Sequence, residues 1–283
     1  MNIRTLEEPD IDQAMVLSTQ ANWNHSHADW RRLVRLWPGQ VLVGEIDGRL
    51  VASGSLATYP SSHGLLGWIG LILVDRAFQR RGLGTQIVGA VLDLAERLDV
   101  NVLGLDASDQ GQPIYQRLGF ECCCGINRWS GRARVKNRAI DMAEEDWRPL
   151  LDLDRLACGA KRAALLHNLA AGGGMLVRAG STNGHLGGYG VLRPGRRAWH
   201  MGPLVADDPE TAAQLVDTLV EASAYEAAED VIIDVVDGSA LEAILARRGF
   251  AIARRLQRMV RPRGATTLLA GERAYAVTGF ELG

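Results

Sequence analysis

Seven residues, Gln79-Arg80-Arg81-Gly82-Leu83-Gly84-Thr85, have the types and spacing to hold an anion. Gly82 and Gly84 lack a Cβ, so the backbone can turn tightly there and approach a ligand closely. The two arginines can add charge-assisted bonds to phosphate oxygens. A helix starting at this point would turn its unbonded N–H groups outward, with its dipole favouring negative charge. Successive amides in such a turn form an anion-binding concavity. The stretch is not a P-loop, because no Gly-Lys-Ser/Thr follows. Nor is it a dinucleotide fingerprint, because its one glycine pair does not open a βαβ unit. Taken alone, it reads as a tight, solvated turn, so its neighbours decide what it is.

Those neighbours are a strand and a helix. The apolar run Leu65 to Val74 predicts a buried strand. From Thr85 to Leu98, the residues Ile87, Val88, Val91, Leu92 and Ala95 recur at helical spacing. A second strand follows at Val102 to Asp106, then a second helical signal ending in Tyr115-Gln-Arg-Leu-Gly119-Phe120. This order, with Ile69 to Asp75 leading into Gln79-x-x-Gly82-x-Gly84, resembles the GNAT superfamily of N-acetyltransferases over about residues 1–130.

The resemblance implies an α/β (α+β) fold with a mixed, mostly antiparallel central sheet flanked by helices. It implies acetyl-CoA as co-substrate. Ile72, Leu73 and Val74 would pair with its pantetheine arm like an added strand, and one N–H would face the thioester oxygen. Gln79 would open the loop, and Arg80, Arg81, Gly82, Leu83, Gly84 and Thr85 would hold the pyrophosphate. Ser108 and Asp109 stand where the family often carries an Asn that contacts the cofactor. Tyr115, four residues before Gly-Phe, would protonate the leaving thiolate. A phenol, with a pKa of about 10, is a donor at neutral pH.

Acetyl transfer to an amine also needs the amine neutral and next to the thioester. Many GNAT proteins place a Glu on the strand before the loop, but Trp68 to Val74 contains no carboxylate. Asp106 is the nearest acidic candidate for the base, and it reads equally as a turn or cap residue. Trp23 and His25 lie in Asn22-Trp-Asn-His-Ser-His-Ala-Asp-Trp30, a region that flanks the acceptor pocket in GNAT folds. An imidazole there could serve as a base near neutral pH. The i, i+2 spacing of His25 and His27 does not suit a shared metal on a helix, and no metal is expected. Trp23, Trp30 and Trp37 fall seven apart, which predicts one helical face facing either the core or the pocket.

The second half of the chain repeats the plan of the first. A hairpin with an Asp47-Gly48 turn is matched by Met175 onward with an Asn183-Gly184 turn. Trp68 to Asp75 matches Trp199 to Asp207 with one insertion, Val102 to Asp106 matches Val231 to Asp234, and Gly119-Phe120 matches Gly249-Phe250. The expected division is a catalytic domain at 1–132 and a degenerate copy at 136–283, joined by a polar, basic linker around 131–141. In the second copy Asp208-Pro209-Glu210-Thr211 replaces the glycine loop and Leu245 replaces Tyr115. The arrangement resembles two-domain bacterial GNAT proteins whose degenerate C-terminal half ends in an Arg-Met strand, here Arg258-Met259. The second copy is expected not to bind acyl-CoA but to wall the acceptor site.

Composition sets outer bounds. The 283 residues are 47% hydrophobic and 23% charged, typical of a globular protein, with a net charge of −2 that gives nucleic acid no footing. The N-terminus lacks the apolar core of a signal peptide, and no apolar run spans a bilayer. Three of the four cysteines, Cys122 to Cys124, are adjacent and read as small buried strand residues. A cytoplasmic enzyme acting on a small-molecule amine is the expectation, with no membrane partner and with a homodimer left open. A protein N-terminus or lysine is the alternative acceptor. A non-catalytic acyl-CoA sensor or scaffold is the alternative class.

Overall fold

The computed structural model of the chain describes residues 1–132, 146–180, 185–225, 230–262 and 271–283. The expected linker lies mostly outside the described residues, and so does the Asn183-Gly184 turn.

The first half contributes strands β1 (Asn2–Thr5), β2 (Val41–Ile46), β3 (Arg49–Ser61), β4 (Gly64–Val74), β5 (Val100–Ala107) and β6 (Glu121–Arg132). Its helices are α1 (Ile11–Gln20), α2 (His27–Leu36), α3 (Leu83–Arg97) and α4 (Gln112–Arg117). The second half contributes β7 (Met175–Gly180), β8 (Leu186–Arg193), β9 (Trp199–Ala206), β10 (Asp230–Val236), β11 (Ala251–Pro262) and β12 (Ala274–Ala276). Its helices are α5 (Arg148–Cys158), α6 (Ala163–Ala171), α7 (Pro209–Tyr225) and α8 (Ala240–Arg247). The expected hairpin forms with Asp47 and Gly48 both left-handed (φ 50° and 75°), the backbone that a two-residue turn between twisted strands requires.

All twelve strands join one sheet, in the order β1-β2-β3-β4-β5-β11-β6-β10-β12-β9-β8-β7. Pairing is antiparallel except for β4 with β5 and β9 with β10. The order contains a reciprocal exchange. The last strand of the second copy, β11, lies between β5 and β6, and the last strand of the first copy, β6, lies between β11 and β10. The boundary near residues 132–136 therefore divides the chain but not the sheet.

The exchange places two matched ion pairs across the seam. Asp106 on β5 accepts from Arg258 on β11 through both oxygens, at 2.9 and 3.0 Å. Asp234 on β10 accepts from Arg128 on β6 in the same way, at 2.7 Å for each bond. Both carboxylates are fully buried, and such fork-to-fork pairs fix geometry as well as charge.

Each copy packs one long helix on its sheet. Ile87, Val88, Val91 and Ala95 of α3 enter the first core. Ala212, Leu215, Val216 and Leu219 of α7 enter the second. A third core joins the copies, with Trp30 and Leu33 of α2 in the same cluster as Leu166 and Leu169 of α6. Burying each such leucine contributes about 1.5–3 kcal/mol.

Two sequence expectations are corrected here. Trp23, Trp30 and Trp37 do not share a helical face. Ser26 and Asp29 form a capping box that starts α2 at His27, so Trp23 precedes the helix and Trp37 caps its end. Trp30 is buried and donates to Ser18 Oγ at 3.2 Å, while Trp37 donates to the Thr58 carbonyl at 2.9 Å. Nor are the three adjacent cysteines buried, since Cys122 and Cys123 are exposed and Cys124 is half-buried. Pairing of β6 with β10 begins only at Ile126, so the cysteine stretch has a strand on one side alone.

Candidate active site

The site begins where two strands part. β4 runs parallel to β5 only as far as Ile69 opposite Leu105. At the next residues β4 bulges: Ser53 faces Leu73 and Ser55 faces Gly70, so Leu71 and Ile72 stand opposite Gly54 alone. Leu71 takes a left-handed backbone (φ 49°), uncommon for its type. Its carbonyl is held by the Ser53 hydroxyl at 2.8 Å. Past the bulge, β5 pairs with β11, and the β4 edge from Gly70 to Val74 has no strand partner on that side among the described residues. Ile72, Leu73 and Val74 lie on this open edge.

The basic loop follows directly. Gly82 is the N-cap of α3 in a left-handed conformation (φ 76°), and no side chain caps the helix. The first helical bond runs from Gln86 N to Gly82 O, so the N–H groups of Leu83, Gly84 and Thr85 lack helical acceptors. Arg80 is also left-handed (φ 60°). Gln79 donates to the Val74 carbonyl at 3.2 Å, tying the loop to the strand end. Arg81 donates to the Ala77 carbonyl at 3.1 Å and lies over the Phe78 ring at 5.1 Å. An uncapped helix start beside an open strand edge fits a pyrophosphate joined to an extended amide-bearing arm.

A cavity of about 200 Å³ opens from this edge into the seam between the copies. Ile72, Gly84, Val88, Ser108, Ile114 and Tyr115 line it. Trp23, His25, Arg193, His200, Arg254 and Glu281 line it too. Leu73, Val74 and Asp109 are not among the lining residues; Gln79 to Gly82 and Thr85 are exposed on the surface, while Leu83 is buried. Tyr115 is nearly buried, with Phe120 edge-on to its ring at 5.9 Å. Among the described residues nothing hydrogen-bonds its hydroxyl. Burial pushes its phenol up to about 12, which keeps it a proton donor.

The same cavity holds an imidazole–carboxylate pair. His25 Nε2 lies 3.2 Å from Glu281 Oε2, with both side chains at least 88% buried (12% and 6% exposed). His25 Nδ1 and Glu281 Oε1 have no hydrogen-bond partner. A proton on Nε2 facing the carboxylate leaves Nδ1 with a free lone pair. Burial alone would raise the Glu281 carboxyl, but His25, and then Arg193 and His200, hold it well below the usual range. Trp23 stands beside the imidazole, with ring centres 5.5 Å apart.

Glu281 arrives from the far end of the chain. Trp68 Nε1 donates to the Phe280 carbonyl at 3.0 Å and the Tyr59 hydroxyl to the Leu282 carbonyl at 2.8 Å. Gly70 allows the approach, because a Cβ there would lie 2.6 Å from the Glu281 Cα. Sequence reasoning missed Glu281, Arg193 and Arg254, since no motif marks them and only the fold brings them to residues near position 25.

Asp106 lines the cavity too. Burial raises its carboxyl above the ordinary range, with Arg258 opposing. Both of its oxygens are engaged by that guanidinium, and Asp234 repeats the arrangement in the copy that lacks the loop. The pair thus belongs to the shared scaffold, whereas His25 lines the cavity with its Nδ1 lacking a hydrogen-bond partner among the described residues.

The second copy has the same bulge in β9, where Gly190 faces Leu204 and Leu192 faces Met201. There β12 lies in the gap: Ala274 pairs with Val205 and Ala276 with Leu204 of β9, while Ala276 also pairs with Val235 of β10. The start of α7 is capped by Asp208, which accepts from Thr211 N at 2.8 Å and Thr211 Oγ1 at 2.9 Å. Among the described residues, no helix is long and apolar enough to cross a membrane, and no group of three or more His, Cys, Asp or Glu is arranged to hold a metal.

A sheet that opens beside an uncapped helix start, on a strand-and-helix plan that the chain repeats once in closed and capped form, is the architecture of coenzyme A-dependent acyltransferases. Residues 6–120 match the acetyltransferase (GNAT) family and residues 150–275 match an acetyltransferase (GNAT) domain. The chain belongs to the GNAT N-acetyltransferases, in a form with two GNAT domains. It is 28% identical over 222 residues to the uncharacterized N-acetyltransferase YitH of Bacillus subtilis (strain 168), covering 76% of each chain. Its fold is similar to a putative acetyltransferase from Pyrococcus horikoshii (TM-score 0.81, 21% identity), covering 100% of this chain and 95% of that one. It is also similar to a tandem GNAT protein from the clavulanic acid biosynthesis pathway (TM-score 0.66, 15% identity), covering 94% and 99%. The family uses acetyl-CoA.

Proposed function

We propose that this chain transfers the acetyl group of acetyl-CoA to a primary amine of a small molecule, by direct attack in a ternary complex. The observation that carries this reading is a cavity lined together by Tyr115, His25 and Glu281. Bound acetyl-CoA supplies an activated acetyl group as a thioester. The Ile72–Val74 edge offers backbone groups to its arm, and Arg80 to Thr85 offer amides and charge to its pyrophosphate. Ser108 extends that lining, with Asp109 beside it. Trp23 and His25 face the acceptor. His25 Nδ1 takes a proton from the acceptor ammonium so that the neutral amine can attack the thioester carbon, and Glu281 positions the imidazole through Nε2. Tyr115 donates its proton toward the departing sulfur. The second copy closes the far side of the cavity, which favours a small acceptor over a protein tail.

Thiol release from acetyl-CoA across a panel of primary amines tests the reading, with the wild type compared with Tyr115→Phe. Turnover that falls about a hundredfold in kcat with acetyl-CoA affinity retained is the expected result. Acetyl-CoA binding without release over any amine would replace this reading with that of an acyl-CoA sensor.

A further inference from the structure

The cavity carries one cation that the protein does not neutralise. Arg128 is held by Asp234, and Arg32 lies 2.6 Å from Asp29. Arg193 lies 3.6 Å from both Asp29 and Glu281. Arg254, on β11, lines the same cavity and is half-buried. Its guanidinium lies over the Trp23 ring at 6.0 Å, and among the described residues it makes no hydrogen bond or ion pair. Burial, and then Arg128, disfavour its charge, while Asp234 and Asp109 favour it without reaching it as ion-pair partners. A partly desolvated cation without a counter-ion is unfavourable until something negative arrives. Trp23 links the two groups, with Arg254 over its ring at 6.0 Å and the His25 ring centre 5.5 Å away. Beyond His25 stands Glu281, whose Oε1 is buried and unbonded.

From this juxtaposition we infer that the acceptor is a zwitterion: a small primary amine bearing an oxyanion, carboxylate or phosphate. Its nitrogen lies at the His25–Glu281 pair and its anion at Arg254. The inference rests on the transferase reading and narrows its substrate class. Arg254 acts as a specificity residue, because it touches the acceptor away from the bond that forms. In a planar fork, a guanidinium takes carboxylate and phosphate alike, so the two anions must be separated by experiment.

The test compares wild type, Arg254→Gln and Arg254→Lys as full chains. The probes are α-amino acids and O-phosphoethanolamine, each set against its neutral counterpart, α-amino amides and ethanolamine. The wild type is expected to prefer the anion-bearing member by at least about tenfold in kcat/KM. Arg254→Gln should bring that ratio toward one through KM, and Arg254→Lys should restore part of it. The preferred pair identifies carboxylate or phosphate. Equal use of neutral amines by the wild type overturns the inference. A loss of acetyl-CoA affinity in Arg254→Gln also overturns it, by assigning Arg254 to the co-substrate. If no amine releases thiol, calorimetry of the same amines with the CoA-loaded protein still decides. Binding that needs both the anion and Arg254 keeps the inference while the transferase reading fails, and absence of such binding overturns both.

Discussion

The two copies share a bulged strand, a long helix and a buried Asp–Arg pair, yet differ at each point where a cofactor would touch. In the first copy the gap beyond the bulge is open and α3 starts uncapped. In the second, β12 fills the gap and Asp208 caps α7. One scaffold thus has two states of the same two features: in one copy they are available to a ligand, and in the other the chain satisfies them itself. The lesson is that in the second copy each of these features has a replacement rather than a vacancy. A strand stands where an extended arm would lie, and a carboxylate stands where a phosphate would.

The matched ion pairs test how equal the scaffolds are. Asp106→Ala and Asp234→Ala each leave a buried guanidinium alone, and each should cost about 3–5 kcal/mol in urea unfolding. A mild Asp106→Ala beside a severe Asp234→Ala would break the symmetry claimed for the exchange.

The second copy also buries a histidine, His200, two residues before its bulge, where Ile69 stands in the first. Burial, with Arg193 nearby, pushes its imidazole down to about 4, against the pull of Asp234 at 3.1 Å. The unfolded chain therefore takes up this proton before the folded one does. Stability should be full above pH 6.5 and fall as pH drops toward 4, by roughly 3 kcal/mol. His200→Gln should flatten that part of the profile, measured by thermal unfolding between pH 4 and 7. An unchanged slope would assign the acid sensitivity elsewhere.

Gly82→Glu should weaken acetyl-CoA binding by about a hundredfold, because it strains a left-handed residue and faces phosphate with a like charge. Titration calorimetry reads this directly, and unchanged affinity would remove the loop as the cradle. The mildest change sharpens the contrast. Asp208→Ala should cost about 1 kcal/mol of stability through the lost cap and leave acetyl-CoA affinity as it was. A fall in affinity would show that the second copy still contributes to binding.

Much of this was legible in the sequence because it is local. The strand, loop and helix around Gln79 to Thr85 follow from periodicity and glycine placement, and the repeat follows from matched punctuation such as Gly119-Phe120 and Gly249-Phe250. The structure also brings Tyr115, Trp23 and His25 to one cavity. What was illegible is non-local. Asp106 looked free because Arg258 stands 152 residues away. Glu281 and Arg254 carry no motif, and the path of the residues around 280 past Gly70 depends on a missing Cβ rather than on a present side chain. The cysteines read as buried from their type and their place in a strand, but strand pairing is non-local and leaves this stretch without a second neighbour. The tryptophans misled because heptad spacing ignores the Ser26–Asp29 cap that breaks it.

The strand exchange also sets an order in time. The edge of β5 that receives β11 is made early in synthesis, while its partner Arg258 comes 152 residues later. At roughly 5–20 residues per second, that edge waits about 8–30 s on the ribosome without its strand. An unpaired edge is a template for wrong partners. The first copy cannot close its sheet, nor its cavity gain Glu281, until the second copy has emerged. The copy without a binding loop thereby controls when the other becomes complete.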